Sequence, residues 1–256
     1  MPNIKGLLID LDGVVYQAGA ALPGSIEALD RLRNAQIPFR FLTNTTSKPI
    51  SHIVRQMKTF GIPVDGDEIF TPAVATCAYI REHDLAAQFL TRPVLMEDFS
   101  GLPEGTKPAV VIGDAGDDFN YANLNSIFRQ LKDGAELIAL ASNRMFVDED
   151  GELSLDVGAF VAALEYASGC KAVVLGKPSP AFFDMAVGAL QLEPGEVAMI
   201  GDDAEFDASA AVAAGLTGYL VKTGKWSEGA TDGLDPQPTG IFDDLAAFTD
   251  WLLGPP

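Results

Sequence analysis

At 256 residues, 48% apolar and 21% charged, the chain has the composition of a globular protein, with room for a large core or for a core domain carrying an inserted one; a disordered chain is excluded. Its formal charge of -19 argues against nucleic acid and anionic membrane surfaces as partners, since both demand a basic face that displaces counterions. An anionic substrate would have to meet concentrated local positive charge, from a lysine or a bound cation.

The opening run Lys5 to Leu11 (KGLLIDL) is short and almost continuously apolar, as a strand covered on both faces of a parallel sheet reads. From Ser25, residues Ile26, Leu29 and Leu32 keep helical spacing, and Pro38 punctuates the entry to a second strand, PFRFLT. Ser47 and Pro49 then open a helix through Ile50, Ile53, Val54 and Met57, followed by the strand EIFT. Further on, KAVVLG, EVAMIGDD and TGYLVKTG read as strands separated by the helical AFFDMAVGAL and ASAAVAAG. This alternation predicts an α/β fold with a doubly wound, Rossmann-like parallel-sheet core.

Between Asn44 and Lys177 roughly a hundred residues are surplus to the ~30 of one βαβ crossover. They carry their own alternation: helix TPAVATCAYIREH, strand AAQFLTRPVLM, strand PAVVIGD, helix YANLNSIFRQLKDG, strand ELIALAS and helix VGAFVAALEYASG. The expectation is a smaller α/β cap at 75–171 inserted into a catalytic core of 1–74 and 172–256. Cys77 and Cys170 have no pairing or metal-binding spacing, so both are expected to be reduced and structural. The N-terminal run does not read as a signal peptide and no stretch approaches the ~20 apolar residues of a membrane span. The expected address is cytoplasmic.

Chemistry gathers at the ends of the predicted strands, where parallel α/β sheets bind ligands. Asp10-Leu11-Asp12-Gly13 ends the first, Thr43-Asn44 the second, Lys177 follows AVVLG, and Asp202-Asp203 with Asp207 follows EVAMIG. A solvated turn would explain any one set, because Asp and Gly are common turn residues. Four sets together fit phosphoryl transfer. Asp10 suits nucleophilic attack on phosphorus and Asp12 suits proton transfer to the leaving oxygen and from water. Asp10 and Asp202, with a backbone carbonyl near Asp12, offer the hard oxygens that Mg²⁺ prefers. Thr43, Asn44 and Lys177 suit the phosphoryl oxygens, and Ser179-Pro180 begins a helix whose free N–H groups favour an anion.

The segments DLDGVVY, LTNTTS, GKPSP and GDDAEFD resemble the motifs of the haloacid dehalogenase-like superfamily over nearly the whole chain, in its phosphatase subclass with a large α/β cap between the second and third motifs. The resemblance implies nucleophile Asp10, acid/base Asp12, phosphate ligands Thr43, Asn44 and Lys177, and metal ligands Asp10, Asp12 and Asp202. Asp207 would orient the ligands or the lysine. VVIGDAGDDFNYANLNSIF and LDVGAFVAALEYASG look most like the phospholysine phosphohistidine inorganic pyrophosphate phosphatases and close relatives. Animal members of that branch carry Ser at the position of Asp12, and an acid there suits ordinary alkyl monoesters. Asp12 also argues against dehalogenation, which attacks carbon without metal and lacks this second acid.

The expected reaction is Mg²⁺-dependent hydrolysis of a small phosphorylated metabolite. Two rivals are a non-catalytic phosphometabolite sensor, for which Asp12 would have no use, and a phosphotransferase that passes phosphate from Asp10 to another acceptor. Loop 114–119, with three acids, suits either a solvated surface or a cationic part of the substrate; Asn143 and Arg144 occupy a similar loop, Arg144 reading mainly as a surface residue. Caps of this family often form a homodimer face, which makes the cap the candidate for one here. His52, His83, Trp226 and Trp251 read as structural.

Overall fold

In the computed structural model, which describes residues 3–147 and 152–255, the strand Gly6–Asp10 is buried along its whole length. An uninterrupted apolar run needs that cover on both faces. It is central in a six-stranded sheet ordered Gly240–Phe242, Thr217–Val221, Val197–Gly201, Gly6–Asp10, Phe39–Leu42 and Ile69–Phe70, with every pairing parallel. Its two neighbours come from the early and late parts of the chain, so the strand order reverses at Asp10. That reversal opens the crevice in which doubly wound sheets hold ligands.

Helices Ser25–Asn34, Pro180–Leu190 and Leu245–Leu253 belong to the same unit, which comprises Met1–Thr43, Ser51–Phe70 and Lys177–Pro256. The last strand and helix were not anticipated. Trp251 explains part of their stability: it packs with Tyr219, Phe242 and Phe248 at ring separations of 5.3–5.7 Å.

The second unit comprises Asn44–Ile50 and Thr71–Gly176. Its parallel sheet runs Val173–Val174, Glu136–Ala139, Lys107–Ile112 and Leu85–Leu90. Helices Pro72–His83, Tyr121–Lys132 and Val157–Ser168 each begin at a side chain that accepts from a first-turn N–H: Thr71, Asn120 and Asp156. Ile127, Leu131, Val161 and Leu164 pack with Val110, Ile112 and Leu137 to form the core of this unit.

Two features depart from the sequence reading. The run KAVVLG, expected as a core strand, pairs through Val173 and Val174 with Ile138 and Ala139 of the second sheet. A short β-branched run suits any half-buried sheet position, and nothing in it selects between two parallel sheets. The unexpected antiparallel hairpin of Met145–Val147 with Leu153–Leu155 exposes Leu153 and Leu155. Among the described residues no helix is long and apolar enough to cross a membrane.

Candidate active site

Three of the singled-out acids converge. Asp10 ends the central strand, Asp202 follows the adjacent strand Val197–Gly201, and Asp207 lies in the π-helical segment Ala204–Ser209. Each brings a carboxylate oxygen within 4.8 Å of the others. Lys177 bridges two of them, its Nζ donating to Asp10 Oδ1 and to Asp207 Oδ1, both at 2.6 Å. Exposures of 7% for Asp10, 4% for Lys177, 3% for Asp202 and 1% for Asp207 put the whole group out of bulk water.

Burial sets the electrostatics. It pushes the Asp207 carboxyl up to about 6, with Lys177 opposing and Asp10 adding to the rise. Asp202 is also pushed up to about 6 by burial, against the Lys225 backbone N–H and with the charge of Asp207. Asp10 is raised by burial, Lys177 pulling it down and Asp202 pushing it up. Burial alone would lower Lys177, but Asp10 and Asp207 outweigh it and hold the ammonium charged. Against three buried carboxylates stand the buried Lys177 and, from an exposed position, Lys225, so the group is still short of positive charge. A divalent cation fits, because the donors are hard oxygens already gathered within reach of one another.

Asp202 is enclosed by backbone. A Cβ at Gly13 would stand 2.2 Å from Asp202 Oδ2, and one at Gly224 would stand 1.9 Å from it; both glycines also have positive φ. Only glycine meets both demands.

Asp12 is exposed and forms a bridge with Tyr16, and its side chain is not in the three-acid group, where Asp207 stands instead. Thr43 follows Phe39–Leu42, and its N–H donates to the Phe70 carbonyl at 3.2 Å. Asn44 belongs to the second unit, where its Nδ2 donates to Asn143 Oδ1 at 3.4 Å. There Asn44 also lines a pocket of about 450 Å³ with Arg92, Asp114, Phe119 and Phe160. Asp114 already has a cation, since Arg92 Nε donates to it at 2.7 Å. Phe119 and Phe160 stack at 3.9 Å, and Arg144 is exposed.

Sequence reasoning did not single out Thr223, Gly224 and Lys225. Thr223 Oγ1 donates to the Gly13 carbonyl and the Lys225 N–H to Asp202 Oδ2 at 2.7 Å. The available signal was KTGK directly after the strand TGYLV, at the same sheet edge as the acids.

Comparison with known proteins finds relatives over nearly the whole chain. A profile of the haloacid dehalogenase-like hydrolases matches residues 7–118, and a HAD-hydrolase-like profile matches residues 174–248. Haloacid dehalogenase-like hydrolase domain-containing protein 2 of Bos taurus is 40% identical over 250 residues, covering 98% of this chain and 96% of that protein. The phospholysine phosphohistidine inorganic pyrophosphate phosphatase of Homo sapiens is 36% identical over 259 residues, covering 99% and 96%. The solved p-nitrophenyl phosphatase from Archaeoglobus fulgidus matches with a TM-score of 0.87 at 26% identity, over 98% of this chain and all of that one.

Proposed function

We propose that this chain, which belongs to the haloacid dehalogenase-like hydrolases and is a phosphatase, releases phosphate from small phosphorylated metabolites through an aspartyl-phosphate on Asp10, with Mg²⁺ as its cation. The observation that carries the reading is Lys177 held between Asp10 and Asp207 beside Asp202 in a buried group.

Lys177 occupies Oδ1 of Asp10, which leaves Oδ2 to attack. As the Oδ2–P bond forms, the P–O bond to the leaving group breaks and Asp12 gives that oxygen its proton. Asp12, now a carboxylate, takes a proton from water; the water oxygen attacks phosphorus, the Asp10–P bond breaks, and inorganic phosphate leaves. Thr43, Asn44 and Lys177 donate to the phosphoryl oxygens while charge spreads over them. Exposure of Asp12 suits its part, since it must meet both a leaving group and water.

Asp10 and Asp202, with the Asp12 backbone carbonyl, would hold the cation, and Asp207 would keep Lys177 in place. When bound, Mg²⁺ supplies charge that lets the anionic phosphate approach the carboxylates. The second unit, expected at 75–171, is proposed as the cap that sets specificity. Within it, Asn44, itself a proposed phosphate ligand, lines a pocket of about 450 Å³. Monoesters come first as substrates, then the pyrophosphate and phosphoramidates for which the human relative is named.

Phosphate release from 4-nitrophenyl phosphate and a metabolite panel, with Mg²⁺ and with EDTA, tests the reading. Native protein should turn over only with metal, and Asp10→Asn should lose roughly 10⁴-fold or more in kcat. Binding of several phosphates with no release from any would overturn hydrolysis in favour of a sensor.

A further inference from the structure

The segment Thr223–Lys225 touches the candidate site at two places. Thr223 Oγ1 donates to the carbonyl of Gly13, the residue after Asp12, and the Lys225 N–H donates to Asp202 Oδ2 at 2.7 Å. Gly224 closes the gap: its Cα stands 2.9 Å from the position a Gly13 Cβ would take, and the Asp202 carboxylate fills the remaining space. The connection continues, because Lys225 Nζ reaches Asp203 Oδ2 at 3.2 Å and the Asp203 N–H donates to Asp207 Oδ2 at 3.2 Å.

We propose that Thr223–Lys225 is a positioning strap: it fixes the rotation of Asp202 and the Gly13–Val14 peptide, next along the chain from the Asp12 carbonyl, and so sets cation affinity and turnover from outside the reacting group. The inference rests on the phosphatase reading above. A buried carboxylate is costly to hold in one rotamer without a donor, and here a backbone amide claims Oδ2 and leaves Oδ1 for the cation. The Asp12 carbonyl lies one peptide before the carbonyl that Thr223 holds. Loss of the Thr223 hydroxyl therefore releases a proposed metal ligand without altering any group that touches substrate.

The test is Mg²⁺ titration of the whole protein by calorimetry, with 4-nitrophenyl phosphate kinetics alongside. Thr223→Val, nearly isosteric but without the donor, should bind Mg²⁺ about tenfold more weakly and lose kcat by a similar factor, while KM moves less than about twofold. Thr223→Ser restores the donor and should bring both back to within about threefold of native. Lys225→Pro lacks the N–H and should bind Mg²⁺ about tenfold more weakly than Lys225→Ala, which keeps it. If the proline variant does not fold, the threonine pair still decides. Native Mg²⁺ affinity and kcat in Thr223→Val would overturn the strap while leaving the phosphatase reading intact. A native protein that neither binds Mg²⁺ nor releases phosphate would sink both.

Discussion

Lys177 holds Asp10 and Asp207 at the same 2.6 Å, and its charge is what permits two carboxylates to share so little water. Asp12 stands apart from that group, and its exposure gives its proposed role a separate signature. In the first half-reaction 4-nitrophenolate departs without needing a proton, so Asp12→Asn should still be phosphorylated on Asp10. In the second, water has lost its base. Asp12→Asn should therefore release a rapid burst of about one equivalent of 4-nitrophenolate per chain, followed by turnover slowed by roughly 10²–10⁴-fold. Stopped-flow absorbance measures both phases; slow turnover with no burst would place the role of Asp12 before phosphorylation. Asp10, Asp202 and Lys177 were legible because each follows an apolar run, and a run's end is where a parallel sheet presents its ligands. Thr223 and Lys225 were not: Lys225 acts through a backbone amide, which no residue type betrays, and the Thr223 hydroxyl meets a carbonyl 210 residues away in the chain.

The strands and helices were easier to read than their partners. Gly6–Asp10, Phe39–Leu42 and Val197–Gly201 fall where continuous apolar runs predict them. Pairing is a long-range property, so Val173–Val174 could be foreseen as a strand without its sheet being foreseen. The segment Ala204–Ser209 shows a subtler limit. The sequence reading starts a helix only at Ala208, whereas the Asp203 carbonyl already accepts from Asp207 N–H at 3.1 Å and from Ala208 N–H at 3.3 Å, the longer reach of a π turn. The Asp203 side chain also accepts from Glu205 and Phe206 N–H, which pins the start of the turn. Deleting the exposed Glu205 would convert the turn to α geometry and swing Asp207 by about 100° away from Lys177. Far-UV circular dichroism should change little while kcat falls by roughly 10²-fold or more. A deletion variant with native turnover would mean that the π turn has no part in placing Asp207.

At the scale of the whole molecule, two electrostatic effects oppose each other. The chain carries a formal charge of -19 and is proposed to attract a phosphate dianion. Lys177 and a divalent cation make the site locally favourable, but the other charges act at longer range. At ~0.01 M salt the screening length is about 30 Å, long enough for an approaching dianion to feel repulsion from the entire surface; at ~0.15 M it is about 8 Å, and chiefly the site's own charges remain. Salt should then help, the reverse of its usual effect on an attractive encounter. With free Mg²⁺ held constant, kcat/KM for a dianionic monoester should rise two- to fivefold between about 0.01 and 0.15 M salt, while kcat stays within about a factor of 1.5. A neutral competitive ligand should show no such rise in affinity, which separates screening from a change in the protein. If kcat/KM instead fell with salt, the local field would already dominate at long range, and the acidic surface would have to be distributed away from the path of approach.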